Sequence, residues 1–145
     1  MPDQLLGEWA LERAVVDRRA GVRGTVRGTT TLTLEHAGLV RWEESGTMVL
    51  AGRSTPVSRT LIVRRDDDGA WTVCFADGRL FHDWVWGVSV VHDCAPDEYT
   101  GELDGDASRW TVRWDAVGPA KDYRLDSVLT PLDLRLDLPL GLPLV

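Results

Sequence analysis

The chain has 145 residues, 27% of them charged, and a formal net charge of −7. That is ordinary globular composition, long enough to bury one substantial core. The acidic balance argues against nucleic acid and anionic membrane surfaces as partners, since like charges repel and no dense basic block offsets them. Arg18-Arg19 and Arg64-Arg65 are isolated pairs, and Asp66-Asp67-Asp68 follows the second directly.

Met1-Pro2-Asp3-Gln4 has neither the basic region nor the apolar stretch of a leader, so a cytoplasmic location is expected, with Cys74 and Cys94 as reduced thiols. Trp9, Leu11, Arg13 and Val15 then share one face of a first strand; a helix is the alternative, but Val15-Val16 favours β. Val22 to Glu35 has the clearest period of two, with Val22, Val26, Leu32 and Leu34 on one side. Gly24 and Gly28 fall on that same side, where a missing side chain permits a sharp bend or a close crossing. Val40 and Trp42 belong to the next strand, and Glu44-Ser45-Gly46 reads as its turn, with Thr47 to Leu50 returning. Val57, Arg59, Leu61 and Val63 share a face of a further strand.

Asp77-Gly78 between Trp71–Ala76 and Arg79–Trp84 suits a two-residue type I′ hairpin. That loop sets Phe75 opposite Leu80, Val73 opposite His82 and Trp71 opposite Trp84. Val88, Val90, His92 and Cys94 share the following face. Tyr99 to Leu103 is short, Trp110, Val112, Trp114 and Ala116 line one side of the next strand, and Asp122 to Thr130 begins the last. About nine or ten strands joined by short polar turns predict an all-β antiparallel barrel, with a sandwich as competitor. Residues 1–145 read as a single domain in which 131–145 form an irregular tail. Leu132 to Val145 is too short, and too broken by Asp133, Arg135, Asp137, Pro139 and Pro143, to span a bilayer.

Gly7-Glu8-Trp9, Asp77-Gly78-Arg79-Leu80-Phe81-His82, the stretch from His92 to Gly101 and Gly118-Pro119-Ala120-Lys121-Asp122-Tyr123 occur in order. Together they resemble a bacterial family of small, uncharacterised lipocalin-like (calycin-type) proteins, over about residues 5 to 130. The resemblance implies a calycin-like barrel of about 8–10 strands and a ligand cavity, and it carries no established reaction. Such proteins end soon after the last strand. Here Leu132 to Leu140 continue, which leaves open whether Arg135 covers Trp9 as calycin arginines do.

Strand parity puts Arg13, Arg59, His82, His92 and Tyr123 on apolar faces, with Trp42, Trp71, Trp84, Trp110 and Trp114 as candidate walls. An enclosed guanidinium keeps its proton and needs an anion or strong hydrogen bonds. The leading expectation is therefore a binding barrel for a small hydrophobic or aromatic ligand bearing an acid group, with Lys121 at the rim. The plain alternative pairs Arg13 or Arg59 with Glu43 or Asp83, or lets either reach water at a strand end. His82, His92 and Cys94 can in principle approach a metal, and the histidines a haem. No Cys-x-x-Cys or His-Glu-x-x-His spacing supports this, so no cofactor, no metal and no catalytic residue is assigned. An enzyme using His82 as acid–base on a small organic acid, and a structural or homo-oligomeric barrel assembled through the tail, stay open as alternatives.

Overall fold

In a computed structural model, residues 1–132 are described. Ten strands follow in chain order: β1 Gly7–Asp17, β2 Val22–His36, β3 Leu39–Leu50, β4 Arg53–Arg65, β5 Trp71–Phe75, β6 Leu80–Asp83, β7 Val88–Cys94, β8 Asp97–Asp106, β9 Arg109–Val117 and β10 Asp122–Pro131. They form one antiparallel sheet in the order β6-β5-β4-β3-β2-β1-β10-β9-β8-β7. Pairing of β1 with β10 brings the two ends of the strand series together. The edges β6 and β7 then face each other across a seam that no backbone ladder bridges among the described residues. The molecule is a nearly closed all-β barrel.

The period of two delivers the inward face as expected. Trp9, Leu11, Arg13 and Val15 of β1, Leu61 and Val63 of β4, and Trp110, Val112, Trp114 and Ala116 of β9 are all buried. The core is dominated by edge-to-face indoles: Trp42 meets Trp84 at 5.7 Å and Trp110 at 5.5 Å between ring centroids, and Trp9 meets Trp110 at 5.8 Å. A short 3-10 turn, Pro2–Gln4, leads to buried Leu5, whose carbonyl accepts the Trp9 indole N–H at 2.8 Å. This plugs the tryptophan-rich half of the barrel.

Two turns differ from the sequence reading. Glu44-Ser45-Gly46 is no turn: β3 runs unbroken to Leu50, and the reversal comes at Ala51-Gly52, with φ of 52° and 79°. Gly46 instead lies directly opposite Gly28 of β2. A Cβ on Gly28 would overlap the Ser45 carbonyl oxygen, so the two glycines mark a close backbone crossing where the strands coil. The Asp77-Gly78 loop is also longer than two residues. The Gly78 N–H donates to the Phe75 carbonyl and the Phe75 N–H to the Arg79 carbonyl, at 2.9 and 2.8 Å, with Gly78 at φ 91°. That is a three-residue loop ending in a left-handed glycine. Cys74 rather than Phe75 therefore faces Leu80, while Val73 still pairs with His82. The irregularity turns both Phe81 and His82 inward and leaves Leu80 56% exposed.

Among the described residues no helix is long and apolar enough to cross a membrane. Cys74 is buried, Cys94 is exposed, and both are free. Arg135 and the rest of the proposed tail lie outside the described residues, apart from Pro131 and Leu132.

Replacing Gly28 with Ala is expected to cost at least ~2 kcal/mol in urea denaturation, because the clash is with backbone and no rotamer relieves it. A loss under about 0.5 kcal/mol would mean that the two strands part easily at this crossing.

Candidate functional site

Five strands place polar side chains at one level inside the barrel. Arg13 of β1 donates from Nε to the Ser127 hydroxyl of β10 at 2.7 Å, and from Nη2 to both carboxylate oxygens of Glu44 on β3 at 2.8 and 3.0 Å. Arg59 of β4 donates to the same Glu44 Oε1 at 3.0 Å. Glu44 Oε2 also accepts from the Trp42 indole at 3.3 Å and from the Thr30 hydroxyl at 3.4 Å. Arg13 and Glu44 are buried, whereas the Arg59 side chain is 33% exposed.

The electrostatics follow from this crowding. Burial alone would raise the Glu44 carboxyl, but attraction to Arg13 and then Arg59, with their hydrogen bonds, holds it below the usual carboxylate range. Burial also lowers Arg59, and Glu44 offsets part of that. Two guanidiniums thus share one carboxylate, leaving one positive charge in excess. Arg13 Nη1, and Nε and Nη1 of Arg59, have no hydrogen-bond partner among the described residues.

Arg59 lies on the face of Trp114, its Cζ 4.3 Å from the ring centroid. The Trp114 indole N–H donates to His82 Nε2 at 3.0 Å, and His82 Nδ1 lies 2.9 Å from the Asp83 carbonyl. Both contacts are satisfied only by a neutral imidazole carrying its proton on Nδ1. Burial, the dominant influence, pushes the His82 pKa below its ordinary value, while the Asp83 contact opposes it. Both ring nitrogens are engaged, so neither is free to take or give a substrate proton.

Beside the arginines is a cavity of about 210 Å³, walled by Leu11, Val26, Val57 and Leu125 and bounded by Arg13, Glu44 and Arg59. The sequence candidates divide around it. Arg13 and Arg59 come together, with Trp114 beneath Arg59. Tyr123 is half-buried, close enough for the Arg59 charge to act on its hydroxyl, although burial dominates and raises that pKa. His92 packs among Phe75, Phe81 and Tyr99, away from the cavity wall. Trp42, Trp84 and Trp110 fill the plugged half, and Trp71 packs beneath Arg65. Lys121 donates to the Tyr99 hydroxyl at 2.9 Å and lies 3.2 Å from Asp97; both contacts raise its pKa, the tyrosine first, and Asp97 balances its charge. No group of three His, Cys, Asp or Glu side chains is placed to hold a metal ion among the described residues.

Glu44 was hidden from the sequence reading by its assignment to a turn. The partner expected for the arginines was Glu43 or Asp83, and the structure supplies Glu44 instead. The visible signal was parity: Glu44 follows Val40 and Trp42 at the same spacing of two.

The family of unknown function DUF6314 matches residues 5–131. The chain belongs to this family. No curated protein matches it. The solved structures to which it is similar include the following two. One is the redesigned β-barrel mFAP1 bound to DFHBI, at 11% identity and TM-score 0.50, covering 90% of this chain and 97% of that one. The other is EF1p2_mFAP2b bound to DFHBI, at 10% identity and TM-score 0.50, covering 90% and 95%. At such identities the likeness concerns the barrel fold alone.

Replacing Glu44 with Gln, in this DUF6314 chain, should cost roughly 3–5 kcal/mol at neutral pH, since two guanidiniums then lack a counter-charge. Urea denaturation checks this; a neutral effect would show that water already compensates the arginines. Acidification has two separable windows. As pH falls below about 6.5, the unfolded imidazole takes up a proton that the buried His82 resists, so stability declines. That decline should flatten in a His82→Gln variant. The stability linked to Glu44 is present above the ordinary carboxylate pKa and is lost only as pH falls through its lower folded value. Denaturation midpoints from pH 7.5 to 3.5 separate the two.

Proposed function

We propose that this protein is a small-molecule binding barrel whose ligand carries a carboxylate or similar acid group next to a compact apolar body. The observation that carries the reading is the pair of guanidiniums sharing Glu44 at the edge of a cavity whose remaining wall is Leu11, Val26, Val57 and Leu125 with Ser45 and Ser58. Their unspent N–H groups would bind an anion, and Leu11, Val26, Val57 and Leu125 would cover its apolar part. A cavity of about 150 Å³ holds benzene, so 210 Å³ suits one ring with its acid group, or a short chain. Lys121 is already paired with Asp97, so the acid group is drawn inward to the arginines rather than to the rim. The calycin-type resemblance and the DFHBI-bound designed barrels are consistent with ligand binding in a barrel of this shape.

Titration of tryptophan fluorescence with benzoate, and with the uncharged benzamide, tests the proposal. Benzoate should bind more tightly, and Arg59→Met should weaken it ~10-fold or more, the worth of one charge-assisted hydrogen bond. Equal affinity for acid and amide, or an Arg59→Met variant that binds benzoate normally, would overturn the acid-group reading. Native mass spectrometry of freshly purified protein offers an independent view of any co-purifying acid.

A further inference from the structure

The polar contact between His82 and Trp114 crosses the barrel seam. His82 stands on β6, one edge of the sheet, and Trp114 on β9, two strands in from the other edge. Such a contact requires the indole to lie flat over β8, and the residue opposite Trp114 there is Gly101. A Cβ at Gly101 would come within 3.0 Å of Trp114 Cδ1, 3.2 Å of its Nε1 and 3.5 Å of His82 Cδ2. The missing side chain is the space through which the indole reaches the imidazole.

We propose that His82 is a positioning residue for Arg59: by accepting the Trp114 indole N–H it fixes the ring on which the Arg59 guanidinium lies, and so aims the unpaired edge of that guanidinium into the cavity. The inference rests on the proposed binding role of Arg59. Trp114 packs against Trp42 and Phe81 at centroid distances of 5.8 and 5.5 Å. Those apolar contacts restrain the plane of the ring but tolerate rotation within it; the directional hydrogen bond fixes which edge faces His82. His82 is itself anchored, because its other nitrogen donates to the Asp83 carbonyl. The charged or titratable groups around the imidazole are Asp83 on its own strand, His92 on β7 and Arg59 on β4. Its burial favours the neutral form that can accept. His82 therefore serves the anion site from behind, without lining it.

Two substitutions separate its two hydrogen bonds. Gln at position 82 places a carbonyl oxygen near the position of Nε2 and keeps the acceptor for Trp114. Asn places its amide near Nδ1 and keeps only the anchor to Asp83. The direct readout is NMR of the Arg59 side-chain protons, which the Trp114 ring current shifts while the guanidinium lies on its face. The shift should persist in His82→Gln and collapse in His82→Asn, and benzoate affinity should fall ~10-fold in His82→Asn alone. Gly101→Val, which displaces the indole without altering either partner, should reproduce the His82→Asn result and serves if that variant does not fold. An Arg59 ring-current shift unchanged in both His82→Asn and Gly101→Val overturns the proposal. Absence of benzoate binding to the unsubstituted protein, with the Arg59 shifts behaving as described, overturns the binding function and leaves the positioning role standing.

Discussion

A single buried carboxylate governs the interior of this barrel. Glu44 is the point at which β1, β3 and β4 are joined by charge, and Arg13 extends the connection to Ser127 on β10. Removing such groups from water costs several kcal/mol for each ion, and their attraction roughly recovers that cost. Apolar residues of the same volume would stabilise the fold at least as well. The arrangement is therefore poorly explained as a stability device, and the excess cation is the part that packing needs least. An interior with two guanidiniums and one carboxylate is poised for a second anion.

The barrel is asymmetric along its length. In the plugged half, indoles fill the space, and the N–H groups of Trp84 and Trp110 are buried without a partner among the described residues. Each orphaned donor costs on the order of 1–3 kcal/mol, which the apolar area of the ring outweighs. The other half keeps its polar groups and its cavity. The seam between β6 and β7 is closed by side chains instead of a ladder: Trp84 meets Trp110, Phe81 meets Tyr99, and His82 bonds to Trp114. A Trp86–Leu103 bridge adds one backbone contact beside it. Side-chain closure makes the aromatic residues of β6, β8 and β9, with Trp84 just after β6, structural first, whatever they contribute to binding.

Inward faces were legible in the sequence wherever strands are long and regular. Counting every second residue from Trp9 and from Leu61 picks out Arg13 and Arg59, whose side chains meet at Glu44. The turn spacing predicts about nine or ten strands in an antiparallel barrel, and the sheet has ten. Glu44 was not legible because Glu-Ser-Gly is a good turn signal, and only the facing glycine on β2 shows that Gly46 serves a crossing. Asp77-Gly78 marks the hairpin but not its length, since Asp-Gly suits both the two-residue turn and the end of a three-residue loop. Parity also could not tell which tryptophans would pack together and which would border the cavity. That depends on strand tilt and stagger, which are properties of the closed sheet and not of any one strand.

The same reasoning shows why the fold cannot supply the function. The mFAP1 and EF1p2_mFAP2b barrels share this fold at 10–11% identity. This chain's own interior chemistry lies in a handful of polar residues: Arg13, Glu44, Arg59, His82 and Ser127. Each stands where a barrel built only for packing would carry a Leu or Val. Their cost is tolerable because they satisfy one another in sequence, from Ser127 through Arg13 and Glu44 to Arg59, and on through the Trp114 face to His82 and the Asp83 carbonyl. The chain of partners leaves its unspent donors on Arg13 and Arg59, beside the cavity. That coincidence of spare donors and space, rather than the barrel itself, is the physical basis for reading the site as a receptor for an acid.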